Sequence, residues 1–186
     1  MITARPFPTT YADIPTATLV DTYAAAPERY RTALAGLTAE QLLAHPRPGK
    51  WSICEVVVHV ADSEIMGAAR FRQALSEPGA TCSPYDQDKW ANGLHYVNVD
   101  KGTMEVYLSL FAGIRSTTTK LLRAATAEDW KSKYVNHPEW STPYTLRNLV
   151  EAYADHGERH LGQILEMRKL LGVPHSLKLL LEKRVY

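Results

Sequence analysis

Four long stretches of this 186-residue chain carry apolar residues at helical spacing, and no convincing run alternates with the period of a strand. The first begins at Thr16, meets Pro27 and resumes as Glu28–Leu37. Proline is tolerated at a first helical position, so the spacing predicts two short helices or one bent helix there. Ser52-Ile53-Cys54-Glu55 is a capping box that opens the second stretch, which runs to about Ser76. Asp100 caps the third, to about Ala125, and Thr145 caps the fourth, to about Leu171, where Gly172 and Pro174 stop it. Four apolar stripes must be buried against one another, which predicts an all-α fold, most simply a four-helix bundle.

The connecting segments refine that expectation. Thr38-Ala39-Glu40-Gln41 is a capping box for a brief helix to about Ala44, and Thr126-Ala127-Glu128-Asp129 is a second short start. Residues 131–144 read as loop, residues 176–184 as one more helical turn or two, and residues 1–15, with Pro6, Pro8 and Pro15, as an extended lead-in. Residues 79–100 show no sustained period and hold Pro84, Tyr85, Asp86, Trp90 and Tyr96. A connection that long often carries function, and it argues against an up-down-up-down order with tight turns. The length suits one domain over 1–186.

A net charge of +1 supplies no bulk electrostatic case for nucleic acid or an anionic membrane surface. No run approaches the roughly 18 apolar residues of a membrane span, and Met1–Pro8 lacks the apolar core of a signal peptide. Cys54 and Cys82 form neither a ligand spacing nor a disulfide framework, so the cytoplasm is the expected compartment.

The chemistry concentrates in three histidines. His156 and His160 stand four apart, which stacks both imidazoles on one face of the fourth helix. That face also carries Leu149, Tyr153, Gln163, Ile164 and Met167, so it is the buried stripe, where an unpartnered polar ring costs free energy. His59 shares the predicament inside Val56-Val57-Val58-His59-Val60-Ala61. Bundle interiors assemble metal sites from facing helices. Three neutral ligands leave a position open, as catalytic sites do, whereas a structural zinc site is closed by four. Glu55 and Asp62, one turn either side of His59, are candidates to orient its imidazole through the second nitrogen or to accept a proton. Arg70 lies on the inward face of the same helix, where it either holds a substrate carboxylate or pairs with an acidic residue. Tyr85 and Trp90 either wall the site from the long connection or pack over the bundle end. Glu158 and Arg159 lie off the histidine stripe and read as surface residues, and His45, His95, His137 and His175 as non-ligands.

Trp51-Ser52, His59-Val60-Ala61-Asp62-Ser63-Glu64, Arg70 and His156-x-x-x-His160-x-x-Gln163-Ile164 together resemble the DinB-like superfamily of metal-dependent enzymes, and its YfiT branch in particular. Pro27–Arg31, Gly36–Leu42 and Tyr85–Ala91 extend the resemblance over most of residues 25–171. The resemblance implies a four-helix up-down-down-up bundle and a divalent ion, nickel or zinc, on His59, His156 and His160. It also implies a small-molecule substrate and a homodimer. Relatives in the superfamily join low-molecular-weight thiols to electrophiles, isomerise maleylpyruvate with a thiol, or bear the name of hydrolases. Val58 and Glu64 stand where the YfiT branch often has further histidines, and the triad survives both changes. Three functions compete: a thiol S-transferase, a hydrolase of a small molecule, and a non-enzymatic helical module.

Overall fold

The computed structural model describes residues 11–138 and 141–182. Its long helices are α1 (Thr16–Leu34), α3 (Ile53–Ser76), α5 (Lys101–Ala124) and α7 (Leu146–Leu170). Short helices α2 (Ala39–Leu43), α4 (Gln87–Gly93) and α6 (Ala127–Ser132) lie between them, with one 3-10 turn at Tyr96–Asn98. The starts expected from sequence are capped as expected. Thr38, Ser52, Thr126 and Thr145 each close a capping box, and Asp100 accepts from the Thr103 N–H. Helix α1 runs through Pro27 as one element.

Side-chain contacts give the direction of each helix. Cys54 meets Met104, Glu64 meets Arg115, and Arg72 meets Thr118, so α3 and α5 run parallel. Tyr30 bonds Gly157 and Arg168 bonds Ala33, so α1 and α7 are also parallel. Arg70 bonds Tyr153 while His59 meets His156, which makes α3 antiparallel to α7. Arg123 bonds Asp21 and Phe111 packs on Tyr30, which makes α1 antiparallel to α5. The order is up-down-down-up, with α1 diagonal to α3. Two parallel neighbours cannot be joined by a tight turn. The chain from α3 to α5 must climb back along a 24-residue helix, about 36 Å, and this explains the length of residues 77–100.

Two apolar clusters fill the bundle, one around Tyr30, Val57, Phe111 and Leu161 and the other around Tyr23, Phe71, Tyr144 and Val150. Arg115 sits between them, fully buried, its guanidinium 4.2 Å from the Tyr23 ring and 4.6 Å from that of Phe111. It donates to Glu64 (2.8 Å), to the Tyr23 carbonyl (3.0 Å) and to the Tyr153 carbonyl (2.7 Å). One side chain on α5 thus ties α3, α1 and α7 together. Gly157 makes room for it, since a Cβ there would stand 3.0 Å from Arg115 Nη1.

Three expectations need correction. Residues 131–144 are not all loop, because Tyr134–Val135 (β1) pairs antiparallel with Tyr144–Thr145 (β2). Residues 176–182 are not helical: Leu177, Leu179 and Leu181 turn inward alternately along an extended segment, while 183–186 lie outside the described residues. Glu158 is buried, accepting from Arg29 (3.0 and 3.1 Å) and from the Leu180 N–H (2.5 Å). It faces away from the histidines, yet α1 and the extended segment cover that side of α7. Of the lead-in, residues 1–10 lie outside the described residues. No helix among the described residues is long and apolar enough to cross a membrane.

Candidate metal centre

Burial of one face of α7 against α3 brings His59, His156 and His160 together. One ring nitrogen from each lies within 4.8 Å of the others, the single such group of three metal-ligating side chains among the described residues. The rings are edge-on to one another, with centroids 4.5–5.1 Å apart. His59 Nε2 and His156 Nε2 are 3.1 Å apart. Donors about a tetrahedral zinc ion with bonds of roughly 2.0–2.1 Å stand about 3.3 Å apart. The geometry therefore fits a divalent ion.

The electrostatics fit as well. Burial, with His160 as a lesser cause, pushes the His59 pKa down to about 3. Burial likewise holds His156 well below its usual value, reinforced by His160 and His59, and lowers His160. Desolvation disfavours the charged ring, so all three are neutral at pH 7, the form that ligates. His160 Nδ1 lies 3.0 Å from Gln163 Oε1, one turn on, which leaves its Nε2 free. His156 Nδ1 is buried with no hydrogen-bond partner.

The expected carboxylate partners of His59 are elsewhere. Glu55 accepts from the Ser52 N–H (2.7 Å) in the capping box and lies 2.7 Å from His45 Nε2. Its capping role turns it toward the helix N-terminus. Asp62 accepts from the Tyr96 hydroxyl at 2.6 Å. The group beside His59 Nδ1 is the Tyr85 hydroxyl, at 3.2 Å. Trp51 covers the ring, with centroids 4.8 Å apart.

A cavity of about 350 Å³ opens beside the histidines, lined by His59, His156, Ser63, Arg70, Tyr85 and Tyr153 among others. Arg70 is only 8% exposed and donates to the Tyr153 hydroxyl (3.1 Å) and the Ser83 carbonyl (2.8 Å). Its Nε has no partner, and it pairs with no carboxylate among the described residues. Gly67 permits the approach of α7 here, since a Cβ would lie 2.5 Å from the Tyr153 ring. Trp90 does not line the cavity and instead backs Tyr85 edge-on at 5.1 Å. His95 is exposed, His45 pairs with Glu55, and His175 accepts from the Leu177 N–H.

Tyr96 and Gln163 are the contributors that sequence reasoning did not assign a role. Gln163 was visible as the next inward position after His160. Tyr96 follows His95, whose left-handed backbone (φ 54°) turns the chain so that Tyr96 is buried beside an exposed neighbour. No periodicity marks such a residue.

Known proteins resemble this chain in sequence and fold. The sequence profile of the DinB superfamily matches residues 22–164. A Bacillus pumilus relative bearing the name "Putative metal-dependent hydrolase" is 31% identical over 150 residues, which is 81% of this chain and 83% of that protein. The protein of that name designated YfiT in Bacillus subtilis is 29% identical over 146 residues, 78% of this chain and 80% of its own. The solved structure of YfiT, described as a "probable metal-dependent hydrolase with an unusual four-helix bundle topology", matches with a TM-score of 0.78 at 25% identity. That match covers 90% of this chain and 94% of YfiT. A mycothiol-dependent maleylpyruvate isomerase shares the fold at a TM-score of 0.62 and 15% identity, over 89% of this chain and 70% of that one.

Proposed function

Since this chain belongs to the DinB superfamily, we propose that it is a metal-dependent enzyme that transfers a low-molecular-weight thiol to an electrophilic small molecule. The observation that carries the reading is three converging neutral imidazoles, two of which line a cavity that also holds a buried arginine with no carboxylate partner among the described residues. His59, His156 and His160 would hold the ion, nickel or zinc. When bound, it supplies Lewis acidity that lowers the pKa of a thiol or water brought against it.

The other roles fall to the protein. Arg70 is held by Tyr153 and Ser83 with a guanidinium edge at the cavity, and it fits a carboxylate of the thiol or of the electrophile. Tyr85 and Tyr153 wall the space, and Trp90 keeps Tyr85 in place. Trp51 packs on the His59 ring.

A second reading, hydrolysis, is favoured by the names of the relatives, and the same residues would serve it. Elemental analysis of untagged protein tests what both share. About one ion per chain is expected, and His160→Ala should lose it. Metal content that is negligible, or unchanged by the substitution, overturns both. Turnover of an electrophile only when a small thiol is added supports transfer. Turnover without thiol supports hydrolysis.

A further inference from the structure

We propose that the hydroxyls of Ser63 and Tyr153 join Arg70 in one carboxylate receptor, so that the cavity selects an organic acid and these two residues determine that specificity. This deepens the proposed function and rests on its reading of the cavity as the substrate site.

The receptor follows from protons left to give. Arg70 Nη1 donates to the Tyr153 hydroxyl at 3.1 Å, so the phenol oxygen accepts, and its own proton goes to no partner among the described residues. Burial raises the Tyr153 pKa to about 12, so that proton is present at neutral pH. Ser63 is in the same condition. A helical hydroxyl can turn back to the carbonyl four residues earlier, as Thr22, Thr32, Ser76, Ser109 and Ser132 do here. Ser63 makes no side-chain hydrogen bond among the described residues, although it is only 5% exposed and lines the cavity.

Position brings the two hydroxyls together. Ser63 follows His59 by four residues on α3, and Tyr153 precedes His156 by three on α7. The helices are antiparallel, so both steps lead the same way from the histidines. The Tyr153 ring lies over Gly67, its Cζ 2.7 Å from where a Cβ would stand. Ser63 is four residues before Gly67, a spacing that sets Cβ positions about 5–6 Å apart on one helix face. One carboxylate, with an oxygen for each hydroxyl, bridges such a gap. The Arg70 guanidinium stands behind the Tyr153 oxygen, and its charge polarises that O–H into a stronger donor. None of the residues lining the cavity is Asp or Glu, so no fixed anion competes there. The substrate is thus an acid whose reacting atom points to the histidines, with its carboxylate one to two helical turns along α3, roughly 5–11 Å away.

Hexanoate and its uncharged counterpart hexanamide test the receptor by calorimetric titration of the full-length protein, as purified and again after chelation. Hexanoate should bind at least about tenfold more tightly than hexanamide, since hydrogen bonds to a charged group are the stronger kind. Ser63→Ala and Tyr153→Phe, each of which removes one oxygen atom, should each raise the hexanoate Kd about tenfold and leave that of hexanamide unchanged. Should Tyr153→Phe fail to fold by circular dichroism, Ser63→Ala decides alone. Equal affinity for the two probes overturns the proposal. So does a folded variant with native hexanoate affinity, or one that weakens both probes alike. Wild-type protein that carries no metal overturns the proposed function instead, and the titration after chelation still decides the receptor.

Discussion

Replacing Glu64 by leucine strands the most deeply buried charge of the bundle. Arg115 would keep its two carbonyl acceptors but lose its carboxylate, and the Tyr23 hydroxyl, which also donates to Glu64, would lose its acceptor. Leaving one member of a buried ion pair uncompensated costs about 3–5 kcal/mol, and an unsatisfied buried hydroxyl costs about 1–3 kcal/mol more. Neither group can turn to water, because Arg115 and Tyr23 are both 0% exposed. A loss of at least about 4 kcal/mol is expected, which for a chain of this size lowers Tm by roughly 8–16 °C. The double variant Glu64→Leu/Arg115→Met removes the stranded charge and should recover all but the Tyr23 contribution. Urea unfolding of the metal-free protein measures all of these values. A single variant within about 1 kcal/mol of wild type, or a double variant as weak as the single, would refute the idea that Arg115 needs Glu64 to be buried.

Arg70→Met should leave stability nearly unchanged, as no carboxylate is stranded, and should raise KM about 10–150-fold for a carboxylate-bearing substrate if its charged hydrogen bond is worth about 1.5–3 kcal/mol. Uncharged analogues should show no such change. In the metal-free protein, the unfolded chain takes up protons at His59, His156 and His160 near pH 6.5, whereas burial in the folded one holds all three lower, His59 at about 3. The unfolded state thus binds more protons in that window, and stability should fall as pH drops from 6.5 toward 3, by up to about 1.4 kcal/mol per pH unit for each histidine. Equilibrium unfolding at a series of pH values checks this, and the His59→Phe/His156→Phe/His160→Phe variant should show a flatter curve.

Local chemistry was legible where it acts along the chain. The capping boxes at Thr38, Ser52, Thr126 and Thr145 need only neighbours three residues apart, and their helices start where the pattern placed them. The histidine pair on α7 follows from the helical repeat, and His59 from its setting within Val56-Val57-Val58-His59-Val60-Ala61. The extended C-terminal segment also left a signal, because Leu177, Leu179 and Leu181 alternate with exposed residues, which is the period of a strand. The run was too short to outweigh its leucine content.

Partnership across the bundle was not legible in this way. Glu55 and Asp62 flank His59 equally, yet the first is taken by its helix terminus and the second by a tyrosine 34 residues away. Glu158 lies off the histidine stripe, but parallel packing of α1 puts Arg29 over it. Periodicity shows which face of a helix is buried and leaves open what covers it. Covering depends on helix order and direction, and these arise only when four stripes compete for one interior. The residue types of the centre were therefore written along the chain, while the hydroxyl beside His59 waited for the long connection to bring Tyr85 back to a ring it adjoins only in space.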